Sequence, residues 1–466
     1  MKRKEDEKKV VEDKRPAKKA HSEDEDDPDA ESVKEFGGPV GCVFIMVASH
    51  VFVYYVWMCL TFYNGELAHP SSFGDIVPFF QRAIGHVVDG ASPTVYAATI
   101  YLGFLLFEAV LAVTMPGVKA KGMPVPSEGG KPLIYNCNGV ASWYVTIVVV
   151  ALLHYFHIFR LTEVADNLGS IMTCAIIFSN VTSVVAYLSA FALKKTHRMS
   201  GNHVYDFFMG AWLNPRIGTF DLKFWAETRV SWIMLFLLTA SAAVKQYEIE
   251  GTVCASLIFM LCAHGLYANA CMKGEECIPP TWDIFYEKWG WMLIYWNLAG
   301  VPFLYCAQSI FIMRHGLLQH SFAYNLTLFV LLFGAYYIWD TSQSQKSRFR
   351  LQLKGSFIPR KTFPQLPWGT ITNPKYLETK CGSKLLVDGW WQYARKIHYT
   401  CDVVMALTWG LSCGTTHVLP FFYFMFFSTM ITHRYIRDAE RCARKYKEDW
   451  DVYCKRVPYI FIPYVI

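Results

Sequence analysis

The chain has 466 residues, 53% of them hydrophobic and 18% charged, with a formal net charge of +6 and a mean hydropathy of +0.22. That apolar balance argues against a soluble protein, and the positive charge sits in a tail and between apolar runs, which points to membrane topology and away from a nucleic-acid partner. Fourteen cysteines are scattered singly, without CxxC or zinc-spaced Cys/His groups, so neither a disulfide framework nor a metal site is expected.

Residues 1–35 are a dense mixed-charge run with basic clusters (Lys2, Arg3, Lys4; Lys18, Lys19) and an acidic block from Glu23 to Asp27. It holds almost no aromatic or branched apolar residues, so burial cannot offset its ordering entropy and a disordered tail is expected. No apolar stretch follows the first charges at the distance a signal peptide requires.

From there the chain reads as all-α and polytopic. A helix of about twenty apolar residues spans a bilayer, and such runs fall at roughly 39–62, 94–115, 139–159, 170–193, 229–247, 252–271, 289–313 and 321–340. A ninth apolar region, about 402–432, is broken by Gly414 and Pro420 and reads as two short spans or as a hairpin that does not fully cross. The expected count is eight to ten transmembrane helices. Basic segments at 194–229, at 345–361 and after residue 432 share one side, which the positive-inside rule makes cytoplasmic, with both termini there. An endomembrane residence follows.

Four polar segments call for explanation. Gly201–Arg216 (GNHVYDFFMGAWLNPR) is bounded by turn residues and is either a structured surface loop or a functional one. Tyr267–Glu287 (YANACMKGEECIPPTWDIFYE) places Glu275, Glu276, Asp283 and Glu287 between two spans. It is either a short wet loop or the source of a proton. Asp283 and Glu287 are four apart and share a face if that stretch is helical; burial beside a second carboxylate would keep one protonated. Asp340–Lys361 carries Lys346 and Arg350 one helical turn apart, suited to positive-inside charge or to a phosphate. Leu385 onward carries Trp390, Trp391, Tyr393, His398 and Tyr399 among Arg395 and Lys396. Aromatic faces with cations suit a nucleotide, and equally an interfacial belt. No GxGxxG follows a strand and no GxxxxGK[ST], HExxH or GxSxG occurs, so a Rossmann domain and a P-loop are excluded and any nucleotide lies between helices and loops.

The segments GNHVYDFFMGAWLNPR (Gly201–Arg216) and HRYIRDAERCARKYKEDWDVYC (His433–Cys454) resemble the two signatures of the membrane sterol reductases, and EFGGPVG (Glu35–Gly41) fits the same pattern. The resemblance covers about residues 35–466. The family includes sterol C-14 reductases, 7-dehydrocholesterol reductases, the lamin B receptor and fungal sterol C-24(28) reductases. The stretches KGEECIPPTWD, RKTFPQLPW, KLLVDGWWQYARKIHYTCD and VPYIFIPYVI are similar to the last group.

The resemblance implies an oxidoreductase of the endoplasmic reticulum membrane that uses NADPH to reduce the 24(28) double bond of a sterol side chain, the last step of ergosterol synthesis. Its partners would be that sterol, membrane lipids and other sterol-synthesis enzymes. One domain would span 36–466, with the cofactor pocket mainly in 340–466. Carried onto matching positions, Lys346 and Arg350 would meet the cofactor's phosphates. Leu386, Trp391, His398 and Tyr399 would line its nicotinamide and ribose side. Asp438, Cys442, Ala443, Arg444, Lys445, Tyr446 and Tyr453 would complete the pocket. Lys447 stands where relatives often have Gly. Candidate acids for protonating the methylene carbon are Tyr267, Asp283, Glu287 and Asp438. C-14 or C-7 reduction and a non-catalytic sterol-binding scaffold are the alternatives within the family; a transporter would require inverted repeats that are not evident.

Overall fold

The computed structural model describes residues 34–125, 129–355, 357 and 363–465. The expected tail over residues 1–33 and the basic pair Arg360 and Lys361 lie outside the described residues. The helices are α1 (Gly38–Phe62), α2 (Ile76–Ala91), α3 (Val95–Thr114), α4 (Gly139–Tyr155), α5 (Leu168–Ala192) and α6 (His203–Met209). They continue with α7 (Leu222–Glu250), α8 (Ala255–Lys273), α9 (Trp291–Arg314) and α10 (Phe322–Leu353), then α11 (Ile397–Ser412), α12 (Phe422–Tyr446) and α13 (Glu448–Arg456).

Seven of these are long and apolar enough to cross a membrane, and α4 is a shorter apolar helix. With the α11–α12 hairpin, ten helices among the described residues run between the two ends of the bundle. Their outer faces carry the exposed apolar side chains that lipid requires, such as Val47 and Val51 on α1, Leu106 and Val110 on α3, and Val184 and Leu188 on α5. The hairpin does reach the far end. Its turn brings His417 to 3.3 Å from Glu66, just beyond the end of α1, while Tyr324 at the start of α10 donates to the Leu411 carbonyl at 2.8 Å. The amphipathic α2 lies on that far end, with His86 stacked on Phe62 at 4.1 Å.

Two spans are not regular. Helix α7 carries a π-turn at Ala226–Val230 and α9 another at Trp296–Gly300. The two wide turns face each other, and the Ser231 hydroxyl donates to the Asn297 carbonyl at 3.0 Å. A π-turn releases carbonyls from the ladder and is used where helices must meet closely.

The opposite end of the bundle is polar. It bears a hairpin of β1 (Val118–Val125) and β2 (Lys131–Cys137), and a second of β3 (Tyr376–Glu378) and β4 (Lys384–Leu386). A buried ionic knot ties this end together. Arg229 of α7 donates to Glu275 at 2.9 and 2.5 Å, to Ser142 at 3.0 Å and to Asn138 at 2.7 Å. Glu275 also accepts the backbone N–H of Gly139 at 2.7 Å. Glu275 is therefore consumed in linking α4, α7 and the end of α8. A buried charge is tolerated only when paired and hydrogen-bonded in this way.

The Asp283–Glu287 pair departs from the shared-face expectation. A single helical turn at Trp282–Phe285 ends before Glu287, whose carboxylate instead accepts the Trp282 indole N–H at 2.9 Å.

Candidate active site

Helix α10 has 32 residues, about 48 Å at 1.5 Å per residue, well over the roughly 30 Å of a hydrocarbon core. Its last turns, with Lys346 and Arg350, therefore project into the polar end. The segment after β4 folds back onto them. Asp388 caps the turn at Gly389–Gln392 by accepting the Gly389 N–H at 2.8 Å. Gln345 of α10 accepts the Trp390 N–H at 2.9 Å and donates to the Trp368 carbonyl at 2.8 Å. The Trp391 indole donates to the Ser342 carbonyl at 2.9 Å. These bonds fix Trp391 flat beneath the Lys346 ammonium, 4.1 Å from its ring centre, an orientation in which ring and cation attract.

Around that pair the sequence candidates gather. His398 lies 5.1 Å from Trp391 and 4.3 Å from Tyr399, ring centre to ring centre. Leu386 packs with Phe349 and Trp391. From α12, whose basic half begins at His433 beyond the apolar stretch, Asp438 and Cys442 face Lys346 and Arg350, and Tyr446 faces Arg350. Asp438 also binds the Lys396 ammonium and Arg441 at 3.0 Å. Burial pushes its carboxyl up, but Lys396, with Lys346 and Arg441 beyond it, holds it below the usual carboxylate range. Ala443, Arg444 and Lys445 lie on the exposed side of the same helix. Tyr453 packs against Val387 and Val457 behind the pocket.

The charge balance of this cleft suits an anionic, phosphate-bearing ligand. Lys346, Arg350, Lys396 and Arg441 outnumber the one carboxylate among them, the balance that phosphate groups neutralise. The buried Nδ1 of His398 has no hydrogen-bond partner, leaving a polar atom for a ligand beside the Trp391 and Tyr399 rings.

Tyr267 stands deeper, in an aromatic chamber between α7, α8, α10, α11 and α12. Its ring stacks on Trp339 at 5.1 Å, tilts against Trp232 at 4.5 Å and meets the edge of Trp409 at 6.4 Å. Trp409 stacks on Tyr423 at 4.9 Å. Tyr267, Trp339 and Trp232 are only half-buried although they face inward, so they line a space. Helix α11 joins this chamber to the cleft: His398 and Trp409, on one stripe of the helix, serve cleft and chamber respectively.

The other two carboxylate candidates are elsewhere. Asp283 pairs with Arg434 at 3.6 Å. Glu287 faces Asp283, Glu35 and Arg198 at the polar end, where burial pushes its carboxyl above the ordinary value despite the bond from Trp282. Neither is among the groups that act on Tyr267. Asp402 was not among the sequence candidates, yet it faces Tyr267 and Trp339. A signal for it existed: a lone carboxylate four residues after His398 and seven before Trp409, on the stripe that α11 turns inward.

The ergosterol biosynthesis ERG4/ERG24 family model matches residues 30–466. The chain belongs to that family. The delta(24(24(1)))-sterol reductase of Aspergillus fumigatus is 45% identical over 436 residues, covering 92% of each chain. That of Gibberella zeae is 44% identical over 93% of this chain and 73% of its own length. A delta(14)-sterol reductase of Dictyostelium discoideum is 37% identical over 93% and 92%. The ERG4/ERG24 match runs through both the cleft and the chamber, so the two lie within one family region.

Proposed function

We propose that this protein is an NADPH-dependent sterol reductase acting on the 24(28) double bond of the sterol side chain. The observation that carries the reading is the junction of a cationic, aromatic cleft with an aromatic chamber inside a membrane bundle. Identity of 44–45% to two delta(24(24(1)))-sterol reductases supports this specificity over C-14 or C-7 reduction.

Lys346, Arg350 and Lys396 would hold the cofactor's phosphates, while Trp391, His398 and Tyr399 would set the nicotinamide facing the chamber. Asp438 keeps the cations ordered through Lys396 and Arg441, and Cys442, Tyr446 and Leu386 close the cleft. When bound, NADPH supplies the hydride. The sterol side chain enters the chamber from lipid, where Trp339, Trp409 and Trp232 exclude water. Protonation of the methylene carbon leaves positive charge at C-24, which ring faces stabilise. Tyr267, inside the chamber, would face that carbon, whereas Asp438 is ionised by Lys396 and is a poor acid. Rate then depends on holding donor, alkene and nicotinamide in register. The protein would reside in the endoplasmic reticulum with the polar end cytoplasmic.

The test is turnover by the purified full-length protein in lipid nanodiscs with NADPH. A 24(28)-methylene sterol is expected to be reduced, and 14-ene and 7-ene sterols are expected to remain. Reduction of a 14-ene or 7-ene sterol instead would overturn the assigned specificity. Sterol binding without NADPH oxidation would replace the enzyme with a scaffold.

A further inference from the structure

We propose that the Asp402 carboxyl group is the acid that, through or beside Tyr267, delivers the proton to the methylene carbon. This deepens the reductase reading above and depends on it.

Four observations place Asp402. It sits one turn after His398 and two turns before Trp409 on α11, between the residue that borders the cofactor cleft and the one that walls the chamber. It faces Tyr267 and Cys271 of α8, Trp339 of α10, and Tyr423 and Arg434 of α12. The indole N–H of Trp339, buried and without a close hydrogen bond, looks toward its carboxyl. Finally, Asp402 forms no salt bridge among the described residues, and the one cation that faces it, Arg434, is paired with Asp283 at 3.6 Å.

A carboxyl group inside a membrane bundle is costly and marks function by default. Glu275 and Asp438 have their charge answered by Arg229 and Lys396; Asp402 has rings instead. A phenol is a weak acid, with an ordinary pKa near 10, so Tyr267 alone protonates an alkene poorly. A carboxyl group set among aromatic rings, with no salt bridge among the described residues, would supply the missing acidity.

The step balances as follows. The acid O–H bond breaks and the alkene π pair takes the proton, forming a C–H bond at the methylene carbon. The carboxylate remains on Asp402 and positive charge appears at C-24. Hydride from NADPH, when bound, would fill that centre, giving the second new C–H bond and oxidised NADP. A proton taken up from bulk solvent then restores the Asp402 carboxyl, so that each turnover consumes one proton and one hydride.

The experiment uses full-length protein in nanodiscs. Wild-type turnover of a 24(28)-methylene sterol is measured first; if it is absent, the reductase reading fails, whatever Asp402 does. Given turnover, Asp402→Asn is expected to lower kcat by at least a hundredfold, the usual range for general acid catalysis. NADPH affinity, read by tritiated-cofactor binding, should stay within twofold. Asp402→Glu should retain part of kcat and shift the alkaline limb of the pH–rate profile. A kcat within threefold of wild type for Asp402→Asn would overturn the proposal, as would a parallel loss of NADPH binding. If the Asn variant does not fold, the Glu variant decides: an unchanged kcat and pH profile would overturn it equally.

Discussion

At the scale of single residues, two positions of positive φ lie beside the cleft. Lys447 ends α12 with φ +50° and ψ −126°, a conformation that side chains rarely tolerate and glycine adopts freely. The resemblance noted above implies glycine at this point, which this backbone would suit. Lys447→Gly is therefore expected to stabilise the protein by about 1 kcal/mol, seen as a higher thermal midpoint in detergent, with KM for NADPH unchanged because Lys447 is exposed. A lower midpoint would contradict this. Gly389 behaves in the opposite way. Its φ is +60°, and a Cβ there would stand 2.3 Å from Gln345 Oε1, the atom that accepts the Trp390 N–H. Gly389→Ala should displace Gln345, loosen the Trp390–Trp391 turn and raise KM for NADPH at least tenfold while kcat at saturation falls less. Equal effects on sterol and cofactor would place the damage elsewhere.

At the scale of elements, the Arg229–Glu275 knot holds α4, α7 and α8 in register at the polar end. Removing one partner leaves the other charge buried and unanswered, which costs about 3–5 kcal/mol. Arg229→Ala should collapse the thermal midpoint, and Glu275→Gln, which keeps shape and acceptor oxygen, should cost less. The loop between α5 and α7 titrates. Burial, with Arg198 and Lys288 nearby, lowers the His197 pKa from 6.5 to about 4. An opened loop binds a proton below about 6.5 while the closed one does not until about 4. Loop closure therefore weakens as pH falls through that window and is at full strength above it. Limited proteolysis at pH 5 and 7.5 should show faster cleavage at pH 5, and His197→Gln should abolish the difference. The spans themselves were legible because lipid demands about twenty apolar residues in a row, a demand no tertiary contact overrides. The π-turn in α9 was not, since Trp296–Gly300 is as apolar as the regular helix around it. Lys346 and Arg350 were legible as paired cations at the end of an apolar run, and Trp391 as an aromatic among Arg and Lys, whereas Asp438 entered only through the resemblance. Asp402 was missed for the converse reason: one carboxylate at the edge of a thirty-residue apolar region scarcely changes its hydropathy. The expected Asp283–Glu287 face failed because the helix there ends after one turn.

At the scale of the whole molecule, an even number of crossings puts the starts of α1 and the end of α12 together, and Glu35 indeed pairs with Arg437. The polar end collects Lys194, Lys195, Arg198, Lys354, Lys380, Lys384 and the basic half of α12, so the positive-inside rule predicts that this end faces the cytoplasm. That orientation would set the side from which the proposed cofactor enters, because the cleft lies at the same end, and it predicts a labelling pattern. Cys381 lies exposed between β3 and β4 at the polar end, whereas Ser72 is exposed on the far end before α2. In sealed microsomes a membrane-impermeant maleimide should modify Cys381 without detergent, and Cys381→Ser should remove that label. In the Cys381→Ser background, Ser72→Cys should react only after permeabilisation. The reverse pattern would turn the bundle over and leave the cleft facing the lumen, away from cytoplasmic NADPH. NADPH bound as proposed above would be expected to slow modification of Cys381 without affecting Ser72→Cys, so one experiment reads orientation and cofactor access together.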